Sequence, residues 1–379
     1  MDFDLSDEQR LLKDSVDRLI ADTYDFESRR RYQESEAGFS DAVWGKFAEL
    51  GLLALPFAEE HGGFGGGPVE TMIVMEALGR GLALEPYLAT VVLGGGFLRR
   101  ADPALQAALL PKVAEGSLKL AFAQVERQSR FDLHDVATSA RRDGSGFLIE
   151  GEKGVVVHGE AADKLLVTAR VAGGRRDEGG VGLFLVDARE PGVSIRSYPT
   201  QDGQRAAEIS FARARAEAVI GDPENAMPLV RRVVDEAIAA LCAEAVGTMD
   251  EMHRLTIAYL KERKQFGVPI GSFQVLQHRG ADMFIALEQA RSMTMFATMM
   301  AQEENDAERR RAISAAKVQV GRSIRFVGQQ AIQLHGGVGM TMEFTVGHYF
   351  KRATMIDLAF GDADHHLAAL AAAGGLMAA

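Results

Sequence analysis

Two segments of the chain combine residue types that bind phosphate groups and flat aromatic ligands. They span residues 263–274 and 332–341. Arginine supplies a planar, forked cation, glutamine supplies amide donors and acceptors, and consecutive glycines let the backbone approach a ligand closely. The two segments could therefore hold a phosphorylated, flat, redox-active cofactor. The residues that could contact it are Arg263, Gln265, Phe266, Gln274, Gln333, Gly336 and Gly337.

Each segment also has a structural interpretation. A cation near the C-terminal end of a helix is favoured by the helix dipole, which would explain Arg263 alone. A pair of glycines is a common helix ending, which would explain Gly336 and Gly337 alone. Neither interpretation explains both whole segments together. His335 stays open between a cofactor contact and a helix cap.

The pattern around these segments changes along the chain. From Ser6 to about residue 120, apolar residues recur at helical spacing, and Ser6 and Gln9 have capping-box spacing. Short apolar runs separated by Asp-Gly and Pro-Gly turns follow between about residues 118 and 220, which is typical of antiparallel strands. Helical periodicity then returns in four long segments, at residues 225–263, 273–304, 306–334 and 344–374.

The predicted fold class is therefore α+β, mostly α. We expect an N-terminal helical domain over residues 1–117, a central antiparallel β domain over residues 118–221, and a C-terminal four-helix bundle over residues 222–379. The glycine-rich residues 59–67 lack both the lysine and the preceding strand of a phosphate-binding loop. They are therefore interpreted as a connection between helices.

Composition limits the class of function. The chain has 379 residues, and its 42 basic and 53 acidic residues give a net charge of −11, which argues against binding to a nucleic acid backbone. The single cysteine, Cys242, excludes an intramolecular disulfide and fits a reducing cytoplasm. The N-terminus is acidic, unlike an export signal, and no stretch approaches about 20 uninterrupted apolar residues. We expect a cytoplasmic protein without a membrane span.

Together these features resemble the acyl-CoA dehydrogenase family over essentially the whole chain, with further similarity at residues 55–63, 76–80 and 151–153. The resemblance implies an FAD cofactor, an acyl-CoA substrate and an electron-accepting flavoprotein partner. In the family two subunits share each flavin, and the first segment contacts the adenosine diphosphate half of FAD held by the neighbouring subunit. Arg263 would then contact pyrophosphate, Gln265 and Phe266 would line the adenosine path, and Gln274 would lie nearby.

The segments that surround the flavin ring in the family are altered here. Val125 and Val157 stand where hydroxyl side chains bond the flavin, and Val155 stands where an aromatic residue packs on the ring. Backbone groups at these positions could still contact the cofactor. Asp362, near the end of the chain, is a further predicted cofactor contact.

The resemblance also implies a catalytic carboxylate that removes the substrate α proton while the β hydride passes to the flavin. The two usual base positions hold Phe360 and Ala237, neither of which can take a proton. Glu244 lies seven residues beyond Ala237, about two turns along the same helix face, among apolar neighbours. We therefore predict Glu244 as the base. The alternative is a buried glutamate paired with a basic group.

The end of the chain leaves two hypotheses. Residues 360–366 contain Asp and His side chains, but these are too close in sequence to converge on a metal, so we expect none. Similar endings occur in small subunits of two-gene, α2β2 acyl-CoA dehydrogenases, such as the pimeloyl-CoA enzyme. The chain could be an FAD-dependent dehydrogenase, or the small subunit of one, that forms a trans-2-enoyl-CoA. Alternatively, it could be a catalytically silent subunit that completes a partner's flavin site. We expect a homo-oligomer or a heterotetramer.

Overall fold

The computed structural model of the protein describes residues 4–374, which form two compact units. The first unit comprises residues 4–31, 68–83 and 238–374, and the second comprises residues 32–67 and 84–237. The first is helical apart from a short hairpin, whereas the second contains a large sheet together with helices. Because the units are built from discontinuous segments, they do not test the predicted boundaries at residues 117 and 221, which stay predictions.

Helices make up most of the chain, as the fold class predicts. A seven-residue π-helix, Leu88–Gly94, continues directly into one of the α-helices. In chain order the α-helices are α1 (Asp7–Thr23), α2 (Phe26–Gln33), α3 (Asp41–Glu49), α4 (Pro68–Gly81), α5 (Gly95–Leu98), α6 (Pro103–Ala114), α7 (Met227–Glu262), α8 (Gln274–Met300), α9 (Asp306–His335), α10 (Val346–Leu358) and α11 (Ala363–Ala372).

The capping box predicted at the start of the chain is confirmed. The Ser6 hydroxyl accepts a hydrogen bond from the Gln9 amide at 3.2 Å, and the Ser6 amide donates to the Gln9 side chain at 3.0 Å. These bonds satisfy two N–H groups that the first turn of α1 would otherwise leave unpaired.

The last long helical segment is not continuous, which corrects the prediction of one helix over residues 344–374. Phe360 and Gly361 adopt positive φ angles of +55° and +111°, so the backbone leaves the helical path after α10. The Asp362 carboxylate then accepts a hydrogen bond from the His365 amide at 2.8 Å and begins α11.

The sheet of the second unit has the order β6-β7-β3-β2-β4-β5-β8, and β1 pairs with β4. Most pairs are antiparallel, whereas β1 and β2 run parallel to β4. Two predicted apolar runs form the single strand β3, which bulges between Lys153 and Val156. The strands are β1 (Leu120–Ala123), β2 (Ser139–Asp143), β3 (Gly146–Val157), β4 (Lys164–Arg170), β5 (Val181–Asp187), β6 (Val193–Pro199), β7 (Arg205–Arg215) and β8 (Ala218–Val219).

Glycines let α4 and α7 pack with their backbones close together in the first unit. A Cβ atom on Gly247 would lie 1.9 Å from the Glu76 carbonyl oxygen, and one on Gly79 would lie 2.1 Å from the Glu244 carbonyl oxygen. Backbone cannot yield as a flexible side chain can, so only glycine fits at these two crossings. Within the described residues, no helix is both long and apolar enough to cross a membrane.

We expect Gly247→Ala to destabilise the protein by roughly 1–3 kcal/mol or more, because the added methyl group would force α4 and α7 apart. Gly45→Ala is the matched control. It lies inside α3, and an added Cβ would have no atom within 4 Å. A helix-interior alanine there should stabilise by about 0.5–1 kcal/mol. Urea unfolding measures both, and equal stability of the two variants would contradict this account of the crossing.

Candidate functional site

An open cleft of about 660 Å³ lies in the first unit, where α7, α8 and α9 bring the two sequence segments together. Of the predicted cofactor contacts, it is lined by Arg263, Gln265, Gln333, Gly336 and Gly337. His335, which the sequence leaves open between a cofactor contact and a helix cap, also lines it. The remaining lining residues, which carry no such prediction, are Tyr259, Ile270, Leu276, Arg279, Leu334, Val338 and Thr341. Tyr259 had a detectable signal, because it precedes Arg263 by four residues and so shares its helix face.

Two polar side chains in this cleft are available to a ligand. Arg263, directly after the end of α7, and Gln333, in the last turn of α9, are exposed. No hydrogen bond or ion pair holds either side chain within the part of the chain that the structure describes. A free guanidinium pairs bidentately with phosphate oxygens, and a free carboxamide can both donate and accept. The cleft therefore fits the pyrophosphate of a dinucleotide.

The glycine pair shapes the floor of the cleft. Gly336 ends α9 with φ +62° and ψ −141°, a conformation that favours glycine. Gly337 has no such requirement, and a Cβ added to it would meet no atom within 4 Å. The space beside Gly337 is therefore open to a ligand, and the missing side chain has no explanation in the packing of the described residues.

His335 lies at the back of the cleft with one ring nitrogen unused. Nδ1 is 2.7 Å from the Ala331 carbonyl oxygen, which can only accept, so Nδ1 carries the proton and Nε2 is an acceptor. Nε2 is buried and has no hydrogen-bond partner among the described residues. Burial lowers the pKa of His335, which keeps the ring neutral. Its ring packs between Tyr259, at 4.6 Å, and Phe344, at 4.9 Å, so the cleft combines an apolar wall with a polar atom.

Phe266 and Gln274 lie outside the lining of this cleft. Residues 264–269 form a two-stranded hairpin whose turn residues, Phe266 and Gly267, have φ angles of +54° and +81°. Such angles are typical of a tight hairpin turn, but they are costly for phenylalanine. The Phe266 side chain is 92% exposed at the tip. Gln274 is exposed at the first position of α8.

The predicted flavin-ring positions of the second unit lie on two adjoining backbone segments. The Val125 carbonyl accepts a hydrogen bond from the Gly154 amide at 2.8 Å. Val155, in the bulge of β3, has φ +50° and an exposed side chain, and Val157 is also exposed. A β-branched residue with positive φ is unusual and often marks a functional segment. These valines leave only backbone groups to hydrogen bond with a ligand.

A buried ion pair fixes these two segments to each other. Lys153 donates to the Glu126 carboxylate at 2.7 Å, to the Gln124 carbonyl at 3.2 Å and to the Thr168 hydroxyl at 3.1 Å. Burial lowers the pKa of Lys153 to about 8, against the opposing attraction of Glu126. Burial opposes ionisation of Glu126, but the charge and hydrogen bond of Lys153 prevail and lower the pKa of Glu126 to about 2.

The predicted base, Glu244, is hydrogen bonded to an arginine side chain. Glu244 is buried in the first unit, and its two oxygens accept hydrogen bonds from Arg352 Nε at 2.5 Å and Nη2 at 2.8 Å. This bidentate geometry agrees with the paired alternative left open by the sequence. Ala237 is fully buried in α7, and Phe360 is half-buried in the break between α10 and α11. Whether Glu244 takes a proton stays a prediction, but the geometry favours a structural role.

The last two predicted roles concern the end of the chain. Asp362 begins α11 through its bond to the His365 amide, which accounts for the carboxylate without a cofactor. Its predicted cofactor contact is untested. No group of three or more His, Cys, Asp or Glu side chains suited to a metal ion occurs among residues 4–374.

Comparison with known proteins gives the family. The N-terminal, middle and C-terminal domains of acyl-CoA dehydrogenases match residues 6–117, 121–214 and 227–375, respectively. The chain belongs to the acyl-CoA dehydrogenase family. The acyl-CoA dehydrogenase IpdE2 of Mycobacterium tuberculosis is 30% identical over 348 residues, which are 92% of this chain and 91% of IpdE2. The predicted enzyme class and fold are thereby confirmed.

Solved structures agree with this assignment. The ChsE4–ChsE5 complex from Mycobacterium tuberculosis has a TM-score of 0.89 and 26% identity, with 100% of both chains covered. PigA, solved with FAD and proline, has a TM-score of 0.88 and 25% identity, with 98% of both chains covered. The cofactor expected from the sequence, FAD, is thus the one named in a similar structure.

Gly337→Ala tests the cleft without disturbing the fold. Because an added Cβ would meet no protein atom, the free energy of unfolding of the flavin-free protein should stay within about 0.5 kcal/mol of wild type. FAD affinity should fall at least tenfold if FAD lies against the main chain at Gly337, because the added methyl group would then stand in its way. Fluorescence titration of the flavin-free protein measures the affinity, and an unchanged FAD affinity would contradict the assignment.

Lys153→Met should destabilise the protein by roughly 3–5 kcal/mol, because it leaves the Glu126 carboxylate buried without its counter-ion. Adding Glu126→Gln to Lys153→Met should restore part of this loss. The exposed pair between Arg254 and Glu251 is the control, and Arg254→Ala should cost at most about 1 kcal/mol. Urea unfolding of the flavin-free variants gives the values, and equal losses at the buried and exposed pairs would refute the role of the buried pair.

Proposed function

We propose that this chain is a subunit of an FAD-dependent acyl-CoA dehydrogenase that oxidises an acyl-CoA thioester to its trans-2-enoyl-CoA. When bound, FAD would accept the β hydride of the substrate. The observation that carries the proposal is the meeting of Arg263, Gln333 and the Gly336-Gly337 pair in one cleft. An electron-accepting flavoprotein would then reoxidise the enzyme.

Each unit of the chain would make its own contacts with FAD, and the cleft of the first unit would contact the FAD held by the neighbouring subunit, as the family resemblance implies. In the cleft, Arg263 would neutralise pyrophosphate and Gln333 would hydrogen bond to the adenosine diphosphate half. In the second unit, backbone groups near Val125, Val155 and Val157 would contact the ring system. With valines at these positions, fewer side-chain bonds reach the ring, so most of the affinity would come from the adenosine diphosphate half.

The substrate α proton requires a base, and we infer that another chain supplies it. Both oxygens of Glu244 are bonded to Arg352, and protonation of Glu244 would remove its charge from this buried pair. Phe360 and Ala237 have no titratable group. A carboxylate of a partner subunit is therefore favoured over Glu244, whose role as a base is the competing hypothesis.

The surface of the first unit supports an oligomer. The described part of α8 exposes large apolar side chains, more than a free helix face in water would favour. They are Val275, Phe284, Ile285, Phe296 and Met299. The exposed Phe266 at the hairpin tip is likewise suited to contact a neighbouring subunit. The similar ChsE4–ChsE5 structure is a complex of two proteins, so we propose a heterotetramer with a second acyl-CoA dehydrogenase subunit.

A catalytically silent subunit is the second candidate function. The pairing of Glu244 with Arg352 and the phenylalanine at position 360 both favour it. It differs from the first proposal in one respect, because a silent subunit would hold no substrate of its own. Co-purification of this chain with its partner, followed by counting FAD and acyl-CoA bound per subunit, separates the two.

Glu244→Gln in the natural assembly should lower the unfolding temperature, because Arg352 loses the charge of Glu244. Below that temperature it should leave substrate-dependent flavin bleaching within about threefold of wild type, because the base comes from elsewhere. A panel of acyl-CoA thioesters is assayed anaerobically by flavin absorbance. A loss of roughly a hundredfold with FAD still bound would instead show that Glu244 takes the proton.

Phe360→Glu tests the same inference as a gain of function. If position 360 lies where the family places its base, a carboxylate there should let this chain bleach flavin without its partner, at least tenfold above the wild-type chain. Phe360→Gln is the matched control, since it has the same shape without a base. Equal bleaching by the Glu and Gln variants would contradict the assignment of position 360.

A further inference from the structure

Gln124 carries a buried hydrogen-bonding group that nothing in the described fold uses. The residue is only 4% exposed, and its side-chain Nε2 has no hydrogen-bond partner among the described residues. A buried amide without a partner costs free energy relative to one in water. Such groups are rare in folded proteins, and each needs a physical reason.

The position of Gln124 in the sheet shows on which face of β1 a partner for this amide would lie. It directly follows β1, whose Ala121 and Ala123 belong to the core of the sheet. On the other face of β1, the ring of Phe122 packs 4.8 Å from Phe97, and Leu120 lies against Gly94. Because side chains alternate along a strand, Gln124 belongs to this second face, at the point where β1 ends.

Hydrogen bonds fix the backbone from which the Gln124 side chain extends. The Gln124 carbonyl accepts a hydrogen bond from the buried Lys153, and the next residue, Val125, is tied to Gly154. By contrast, the neighbouring Thr90 hydroxyl, in the π-helix that packs on β1, is satisfied by both backbone groups of Leu120. The Thr90 hydroxyl is therefore matched by the fold, whereas the Gln124 Nε2 is not. Helices of the π type are frequent at functional sites.

We propose that the Gln124 carboxamide is a ligand-binding donor, whose Nε2 hydrogen bonds to an acceptor oxygen of a molecule bound beside the end of β1. The inference rests on the proposed function, because the two sources of such an oxygen are a carbonyl of the flavin ring and an oxygen substituent on the acyl chain of the substrate, beyond the thioester carbonyl. Either bond would supply a donor in a segment where valines have replaced hydroxyl groups.

Gln124→Met tests this proposal, because it keeps the length of the side chain and removes the amide. FAD affinity is measured by titrating flavin-free protein, and acyl-CoA affinity by the shift in flavin absorbance on binding. If the flavin supplies the oxygen, the Kd for FAD should rise about tenfold or more. If the acyl group supplies it, only the Kd for acyl-CoA thioesters with an oxygen on the acyl chain should rise, while that for unsubstituted chains stays constant.

Two further variants make the test specific to a donor. Gln124→Glu keeps the shape, and its ionised carboxylate can only accept, so at a pH where this group is ionised the variant should bind at least as weakly as Gln124→Met. Gln106→Met is the control, because the Gln106 amide is already bonded to the Ala101 carbonyl in the same unit. It should leave both affinities unchanged.

Three results would overturn the proposal. They are wild-type affinities in Gln124→Met, wild-type affinities in Gln124→Glu, and a marked fall in the unfolding temperature of flavin-free Gln124→Met. The last would show that the amide is bonded within the protein after all. A wild-type protein that binds neither FAD nor acyl-CoA would refute the proposed function itself, and this inference with it, so the two failures are distinguishable.

Discussion

The ion pair between Glu244 and Arg352 determines whether the helical unit has a carboxylate that could act as a base. Both charges are buried, and their separation from water is tolerable only because two parallel hydrogen bonds join them. Glu244 also takes part in close helix packing, since its backbone carbonyl lies against Gly79 of α4. The ion pair leaves neither carboxylate oxygen of Glu244 without a hydrogen bond, which favours a structural role for the predicted base.

Three of the seven non-glycine residues with positive φ angles in the described part of the chain lie at positions that the sequence marks for chemistry. Phe266, Val155 and Phe360 all have positive φ angles, which are unfavourable for large or β-branched side chains. Each occurs at a position that the family resemblance links to the cofactor or the base. Strain of this kind persists where the surrounding structure requires it, as the hairpin, the bulge of β3 and the α10–α11 break do here. The surrounding structure therefore holds these three segments in conformations that a simple connection would not require.

The sequence predicted two segments that the structure brings into one cleft, because their residues lie at helix ends in contiguous stretches. Local signals also predicted most helices and the capping box at Ser6. Other features were missed for physical reasons. Strand β2 is largely polar and lacks the apolar alternation that marks a strand. The break at Phe360 needs a positive φ angle, and a phenylalanine gives no sequence signal for such an angle.

Long-range partners could not be predicted at all. Arg352 lies 108 residues from Glu244, and nothing in its local sequence indicates that partner. The unused amide of Gln124 is a similar case, because only the packed structure shows which polar groups are satisfied. Sequence patterns thus gave the elements and the family, whereas the state of each buried polar group required coordinates. For the predicted base Glu244, the hydrogen bonds to Arg352 are the observation on which the argument depends.

We infer that this chain holds FAD but relies on another chain to remove the substrate α proton. Deuterium incorporation at the α carbon of acyl-CoA thioesters, measured by mass spectrometry in D2O, tests it most directly because it reports proton removal itself. The account predicts that the FAD-loaded chain alone gives no incorporation above a protein-free control, whereas the assembly with its partner does. Incorporation by the chain alone that disappears in Glu244→Gln would contradict the account.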